Sequence, residues 1–173
     1  ISSGTNIIPT LTGNDLTLIP IQDFNGSENF TVTVSDGQLS SSEIFIVTVN
    51  AVNDAPILAT ITDVAFDEDT LGSLSLSASD VDNDTLTFSI TEGTDITATV
   101  DGSNITFTTP LNFNGSESFT ATVSDGELID LQSFIVTVIP VNDAPVADTI
   151  TGNTTEDKSL VITLSGSDVD GDV

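Results

Sequence analysis

Oxygen-bearing side chains recur in short runs along this chain, and their types and spacing define the chemistry open to it. Asn53-Asp54-Ala55-Pro56 is followed by Asp67-Glu68-Asp69 and by Asp80-Val81-Asp82-Asn83-Asp84. Asn142-Asp143-Ala144-Pro145 repeats the first run 89 positions on (142 − 53), and Asp168-Val169-Asp170-Gly171-Asp172 repeats the third 88 positions on (168 − 80). Carboxylates and side-chain amides are hard donors, and a calcium ion takes about 6 to 8 oxygens from such groups, backbone carbonyls and water. Asp80 and Asp82 project together if their segment is a loop or bulge. Asn53 and Asp54 lie on a linker that Pro56 stiffens, so ordering it around a shared ion loses less entropy. These features point to cation binding where two copies of one module meet.

The competing reading is that Asp and Asn form turns here, as they do in most β proteins. Recurrence at fixed offsets, in a chain of formal charge −26, favours the ion. An EF-hand loop over residues 80–84 and beyond fits poorly, because its required Gly is Thr85 and its twelfth position is Thr91.

Composition narrows the partners. Lys158 is the only basic side chain and there is no histidine, so phosphate contacts of the kind nucleic acids need are absent. Anionic membrane surfaces are disfavoured on the same ground. The chain is nevertheless 38% hydrophobic, which sets it apart from a disordered acidic tail. No apolar run approaches the roughly 18 residues of a membrane helix, and the N-terminus lacks a signal-peptide pattern. With no cysteine, a small module must find another staple, and bound metal both staples and offsets the self-repulsion of the carboxylates.

The elements that must position these runs read as strands. Phe30, Val32 and Val34 alternate with Thr31, Thr33 and Ser35, the period of a strand with one buried face. Residues 57–141 form the one complete module, with alternating apolar sets at Val64 and Phe66; Leu74, Leu76 and Ala78; Leu86, Phe88 and Ile90; Ile96, Ala98 and Val100; Ile105 and Phe107; Phe119, Ala121 and Val123; and Phe134, Val136 and Val138. About seven short strands between Gly, Asn and Asp turns predict an all-β fold of Ig-like β-sandwich modules.

The repeat sets the boundaries: 1–52 is the C-terminal part of a first module, 53–56 a linker, 57–141 the complete module, 142–145 a second linker, and 146–173 the N-terminal part of a third. Val173 corresponds to Thr85 and Ile1 to Ile90, so the chain reads as a window on a longer tandem array. The flanking part-modules are expected to be completed by neighbouring sequence or by another copy of the chain.

These motifs resemble the cadherin-like tandem repeats of large bacterial secreted and surface proteins, including adhesins of the RTX type. Both linkers are similar to the cadherin linker, though one Asn shorter. Asp80-Val81-Asp82 and Asp168-Val169-Asp170 match its Asp-x-Asp motif, Glu68 and Glu156 its early acidic residue, and Asp36 and Asp125 its later Asp ligand. The resemblance implies Ca2+ held at one joint by Asn53, Asp54, Asp80, Asp82 and Asp125, and at the next by Glu68, Asn142, Asp143, Asp168 and Asp170. It implies that Asp36 faces a preceding joint. Where cadherins carry Leu-Asp-Arg-Glu this chain has Leu111-Asn112-Phe113-Asn114, two amides for two carboxylates, which implies weaker or fewer ions.

The function expected is that of a calcium-rigidified, extracellular, non-enzymatic spacer in an adhesin or surface filament. The alternatives are a carbohydrate-binding module, a segment of a self-assembling extracellular fibre, and a linker within a large secreted enzyme. A glycosidase needs an acid and a base about 5 to 10 Å apart across a sugar cleft. Nine Phe, most at alternating core positions, and no Trp or Tyr give no sign of one. Phe24 and Phe113 before Asn-Gly turns read as caps on the sandwich end rather than sugar platforms, and sequons such as Asn25 and Asn114 are expected by chance in a chain so rich in Asn, Ser and Thr.

Overall fold

The computed structural model describes residues 1–171. They divide into two compact units, one of Ile1–Asp54 with Val81–Asn83, the other of Ala55–Asp80 with the residues from Asp84 onward. No helix occurs among the described residues.

In the first unit β1 (Ile7–Thr12) and β2 (Asp15–Pro20) pair antiparallel around Gly13, whose φ of 61° suits glycine at a tight turn. The longer strands β3 (Gly26–Ser35) and β4 (Ser40–Val49) form a second hairpin in which Phe30 opposes Phe45, their rings stacked 5.7 Å apart. Alternation puts Phe30, Val32 and Val34 on one face, yet only Phe30 is buried and Val34 is 70% exposed. The turn is held by Asp36, whose Oδ1 accepts the backbone N–H groups of Gln38 and Leu39.

The second unit contains the complete sandwich. Its strands are β5 (Ile57–Leu58), β6 (Val64–Asp67), β7 (Gly72–Ser75), β8 (Ala78–Ser79), β9 (Thr87–Ile90), β10 (Thr97–Asp101), β11 (Asn104–Thr108), β12 (Gly115–Ser124) and β13 (Ile129–Ile139). One sheet has the order β6-β13-β12-β9 and the other β10-β11-β7. Seven strands therefore make the two layers, as the alternating pattern predicts. The Leu74 to Ala78 set departs from that pattern, because β7 stops at Ser75 and β8 turns to pair with β5. Between them Leu76 points into the core, 4% exposed.

Alternate residues of β12 and β13 are buried where the two strands cross the core: Phe119, Ala121 and Val123 from one, Phe134, Val136 and Val138 from the other. Phe107, Phe119 and Phe134 meet at the centre, with Phe107 edge-on to both others at 5.4 and 6.3 Å. Such pairs add to the roughly 25 cal/mol per Å² gained by removing apolar surface from water. β6 pairs parallel with β13, Val136 opposite Val64 and Ile139 opposite Asp67. That pairing delivers Glu68 to the end of the sandwich where the chain leaves β13.

After the second linker, β14 (Val146–Ala147) and β15 (Gly166–Ser167) repeat the β5–β8 pairing.

Candidate metal centre

The carboxylates near the second linker converge because three separate elements end there. The end of β6 brings Glu68, which is 4% exposed despite its charge, and its Oε1 accepts the Val141 N–H at 2.6 Å. Its own N–H donates to the Ile139 carbonyl at 2.9 Å, extending the β6–β13 pairing by one residue. The linker brings Asp143, whose N–H donates to Asp170 Oδ2 at 2.7 Å. Asp170 in turn donates its own N–H to Asp168 Oδ1 at 2.8 Å, which curls that run into a loop.

Asp69 is the addition that the motif comparison did not select. It adopts a left-handed φ of 59° directly after Glu68, and its Oδ1 accepts the Asn112 N–H at 2.9 Å. The Asn112 amide lies between the Asp69 and Asp143 carboxylates, 3.2 Å from Oδ2 of each in the orientation where its nitrogen donates. A surface cleft is lined by Asp69, Leu111, Asn112, Asp143, Val146 and Asp168, among others. The electrostatic result is legible at Asp143. Desolvation first, then the negative fields of Asp170, Asp69, Glu68 and Asp168, push its carboxyl above the usual carboxylate range. An array that makes a carboxylate reluctant to ionise is one that a divalent cation relieves.

Of the residues expected at this joint, the structure draws Glu68, Asp143, Asp168 and Asp170 into one electrostatic group. Asn142 is exposed beside them, its Nδ2 donating to the Asp143 carbonyl at 2.8 Å.

The first linker repeats part of the pattern. Asp54 donates its N–H to Asp82 Oδ2 at 2.8 Å, the counterpart of the Asp143–Asp170 bond. A cleft here is lined by Asp23, Asp54 and Asp82, with Phe24, Asn25 and Val52 among the other residues. Asp23 occupies the position of Asn112 (112 − 89), so this cleft carries a carboxylate where the other has an amide. Both residues are left-handed, with φ of 58° and 56°. The run 80–84 carries Asp80, Asp82 and Asp84 at alternate positions. The three-fold Asp spacing was visible in the sequence, although Asp84 was not singled out. Asn53 sits half-buried on the linker.

Asp125 holds its hairpin turn. Its Oδ1 accepts the N–H groups of Glu127 at 2.7 Å and Leu128 at 2.6 Å, as Asp36 does 89 residues earlier. Other acids have clear structural tasks. Glu117 accepts the Thr94 and Asp95 N–H groups, and Glu28 accepts those of Thr5, Asn6 and Ile7. Asp130 and Asp63 tie the β5 region to β13 through the Leu58 and Ile135 N–H groups.

Oxygen donors alone, several carboxylates and no nitrogen or sulfur ligand, fit a hard cation such as calcium rather than zinc or copper.

Residues 53–137 match the family model described as the bacterial Ig domain. Over those residues the complete module, an Ig-like β-sandwich, is similar to that family. The match begins at Asn53 and runs nearly to the end of β13, so it takes in the first linker and both layers of the sandwich. No curated protein matches the chain.

Among solved structures, the Ig-like repeat and its flanks are similar to human protocadherin-24 EC1-2, at 24% identity and a TM-score of 0.47, covering 68% of this chain and 61% of that one. They are also similar to the endo-fucoidan hydrolase MfFcnA4 of glycoside hydrolase family 107, at 26% identity and a TM-score of 0.38, covering 80% of this chain and 23% of the hydrolase. The chain thus spans less than two thirds of either. A third similar structure is the surface layer protein SbsC, domains 4-9, at 15% identity and a TM-score of 0.32, covering 90% of this chain and 26% of that one.

Proposed function

We propose that this chain is a calcium-rigidified spacer of an extracellular bacterial adhesin or surface filament, and that it takes no part in catalysis. The observation that carries the proposal is the convergence of Glu68, Asp69, Asp168 and Asp170 on Asp143 of the second linker. The linker backbone is already held on both sides, by Glu68 through Val141 and by Asp170 through Asp143. Calcium supplies the positive charge that lets these carboxylates stay ionised together. Glu68 and Asp69 belong to the complete module, Asp168 and Asp170 to the stretch that opens the next, and Asp143 to the chain between. Shared ligation would therefore remove freedom from the joint.

No helix among the described residues is long and apolar enough to cross a membrane. Bacterial Ig domains are commonly surface-exposed, which agrees with a setting where calcium is millimolar. Sites with dissociation constants of about 10⁻⁴ to 10⁻³ M, typical of extracellular modules, fill under those conditions. At tenfold excess over its dissociation constant, one ion binding only the folded form adds roughly 1.4 kcal/mol by mass action.

The test is thermal melting in chelator and in millimolar calcium. A rise in the midpoint of several degrees with calcium, absent with magnesium at the same ionic strength, is the expected outcome. Identical curves in calcium and chelator would remove the basis of the proposal.

A further inference from the structure

We infer that Asn25 and Asn114 are sites of self-modification, at which the folded chain converts a neutral amide into a carboxylate without an enzyme. Each is followed by glycine, Gly26 and Gly115, and the two pairs lie 89 residues apart (114 − 25) at the entries to β3 and β12. The reaction has three requirements. The carboxamide must be free to turn back on its own main chain, the next residue must leave its nitrogen open to approach, and water must reach the site.

Both asparagines are exposed, and neither carboxamide is held by a hydrogen bond among the described residues. The structure also shows why glycine follows. Gly26 has φ 136° and Gly115 φ 154°, and a Cβ would meet the Phe24 ring at 3.4 Å in the first and the Phe113 ring at 3.3 Å in the second. Only glycine takes such a backbone freely, and its bare α-carbon leaves the nitrogen uncrowded. Other amides fail these requirements. Asn83 Nδ2 donates to the Val81 carbonyl at 3.4 Å, Asn142 Nδ2 donates to the Asp143 carbonyl at 2.8 Å, and the Asn112 amide sits between two carboxylates. They are followed by Asp84, Asp143 and Phe113, whose side chains crowd the nitrogen. Asp36 and Asp125 also precede glycine, but Oδ1 of each is engaged by two turn N–H groups.

In the reaction the glycine nitrogen bonds to the asparagine side-chain carbonyl carbon. The carboxamide nitrogen leaves as ammonia, taking up the proton that the glycine nitrogen gives away. Both partners belong to one residue pair, so the attack is intramolecular and its rate is set by how freely they meet. Water then opens the resulting five-membered succinimide at either carbonyl. One opening gives Asp; the other gives its isomer, in which the main chain runs through the side-chain carboxyl and is one methylene longer. Either product adds one negative charge. Asn25 lines the first-linker cleft with Asp23, Asp54 and Asp82, so conversion there supplies a fourth carboxylate. The effect of that carboxylate on a cation rests on the calcium reading above; the reaction itself does not.

The experiment ages the whole folded chain in chelator, at mildly alkaline pH and body temperature, and follows it by isoelectric focusing and by mass spectrometry of its peptides. Two acidic steps are expected, from −26 to −28 (−26 − 2), with the mass gain of amide-to-acid conversion confined to the peptides that carry Asn25-Gly26 and Asn114-Gly115. Isoaspartyl methyltransferase should label the aged chain and not the fresh one. Asn25→Gln and Asn114→Gln, both surface changes, should each abolish one step, because glutamine must close a slower six-membered ring. A folded chain that stays at −26, conversion as fast at Asn83, Asn112 or Asn142, or both steps persisting in the double variant would overturn the inference. Conversion seen only in denaturant would overturn it too, since the folded geometry would then be what blocks the reaction.

Discussion

β3–β4 and β12–β13 are nearly the same hairpin in sequence and pairing, and they differ in what surrounds them. Phe30 and Phe119 are both fully buried, but Val34 is 70% exposed where Val123 is 0% exposed. Both hairpins have ten paired positions and both are closed by an Asp that accepts two turn N–H groups. Alternation of apolar and polar residues thus decides strand and facing. Burial depends on whether a second layer covers the face, here the sheet β10-β11-β7 together with Leu58 and Leu76.

That difference sets the largest expected effects. Phe119→Ala removes the centre of the aromatic cluster and should destabilise the complete module by about 3 to 5 kcal/mol in chemical denaturation. Val123→Ala should cost about 2 kcal/mol by the same measurement, from lost methyls and the space they leave. Val34→Ala should change stability by no more than about 0.5 kcal/mol, as for other exposed sites. Equal losses at Val34 and Val123 would mean that Val34 is covered in solution.

Acid should separate the two regions by sign. Asp36 and Glu28 in the first unit are held below the usual carboxylate range. At Asp36 the Leu39 and Gln38 N–H groups are the main cause; at Glu28 desolvation acts upward and is outweighed by the Asn6, Ile7 and Thr5 N–H groups. Their contribution is present above the ordinary carboxylate pKa and is lost as pH falls through the lowered values. Asp143 is raised, so in chelator its ionised form is a burden above the raised value, relieved as pH falls toward the ordinary one. Segment-resolved hydrogen exchange in chelator should show the β3–β4 turn loosening in acid while the second linker tightens. Loosening of both would mean that the carboxylates around Asp143 do not repel in solution.

The smallest effect sharpens the contrast between the two clefts, Asp23 in one and Asn112 in the other. Asn112→Asp adds a third carboxylate between Asp69 and Asp143. It should lower the melting midpoint in chelator and tighten calcium several-fold, since affinity follows ligand charge. A loss of affinity would show that the amide carbonyl is itself a needed ligand.

Much of this architecture was legible in the sequence. The seven strands follow from alternating apolar residues, and the fold class agrees with the bacterial Ig match over residues 53–137. The break between β7 and β8 was not legible, because Leu74, Leu76 and Ala78 keep the period although β7 ends at Ser75 and Ala78 pairs with Leu58 of β5 instead. Asp143, Asp168 and Asp170 stood out through repetition, and Glu68 through the resemblance. Asp69 did not, because its part depends on a left-handed backbone and on Asn112, which is 43 residues away in sequence. Asp125 stood out as a ligand by resemblance, and its Oδ1 also holds its own turn, a local role that spacing alone does not reveal.

The central claim is that the carboxylates around Asp143 hold calcium. Calorimetric titration of calcium into chelator-stripped chain, compared with the Asp143→Asn and Asp170→Asn variants, tests it most directly. Saturable binding with a dissociation constant of about 10⁻⁴ to 10⁻³ M, weakened roughly tenfold or more in each variant, is the predicted result. No saturable heat in the unaltered chain, or affinity untouched by both substitutions, would contradict it.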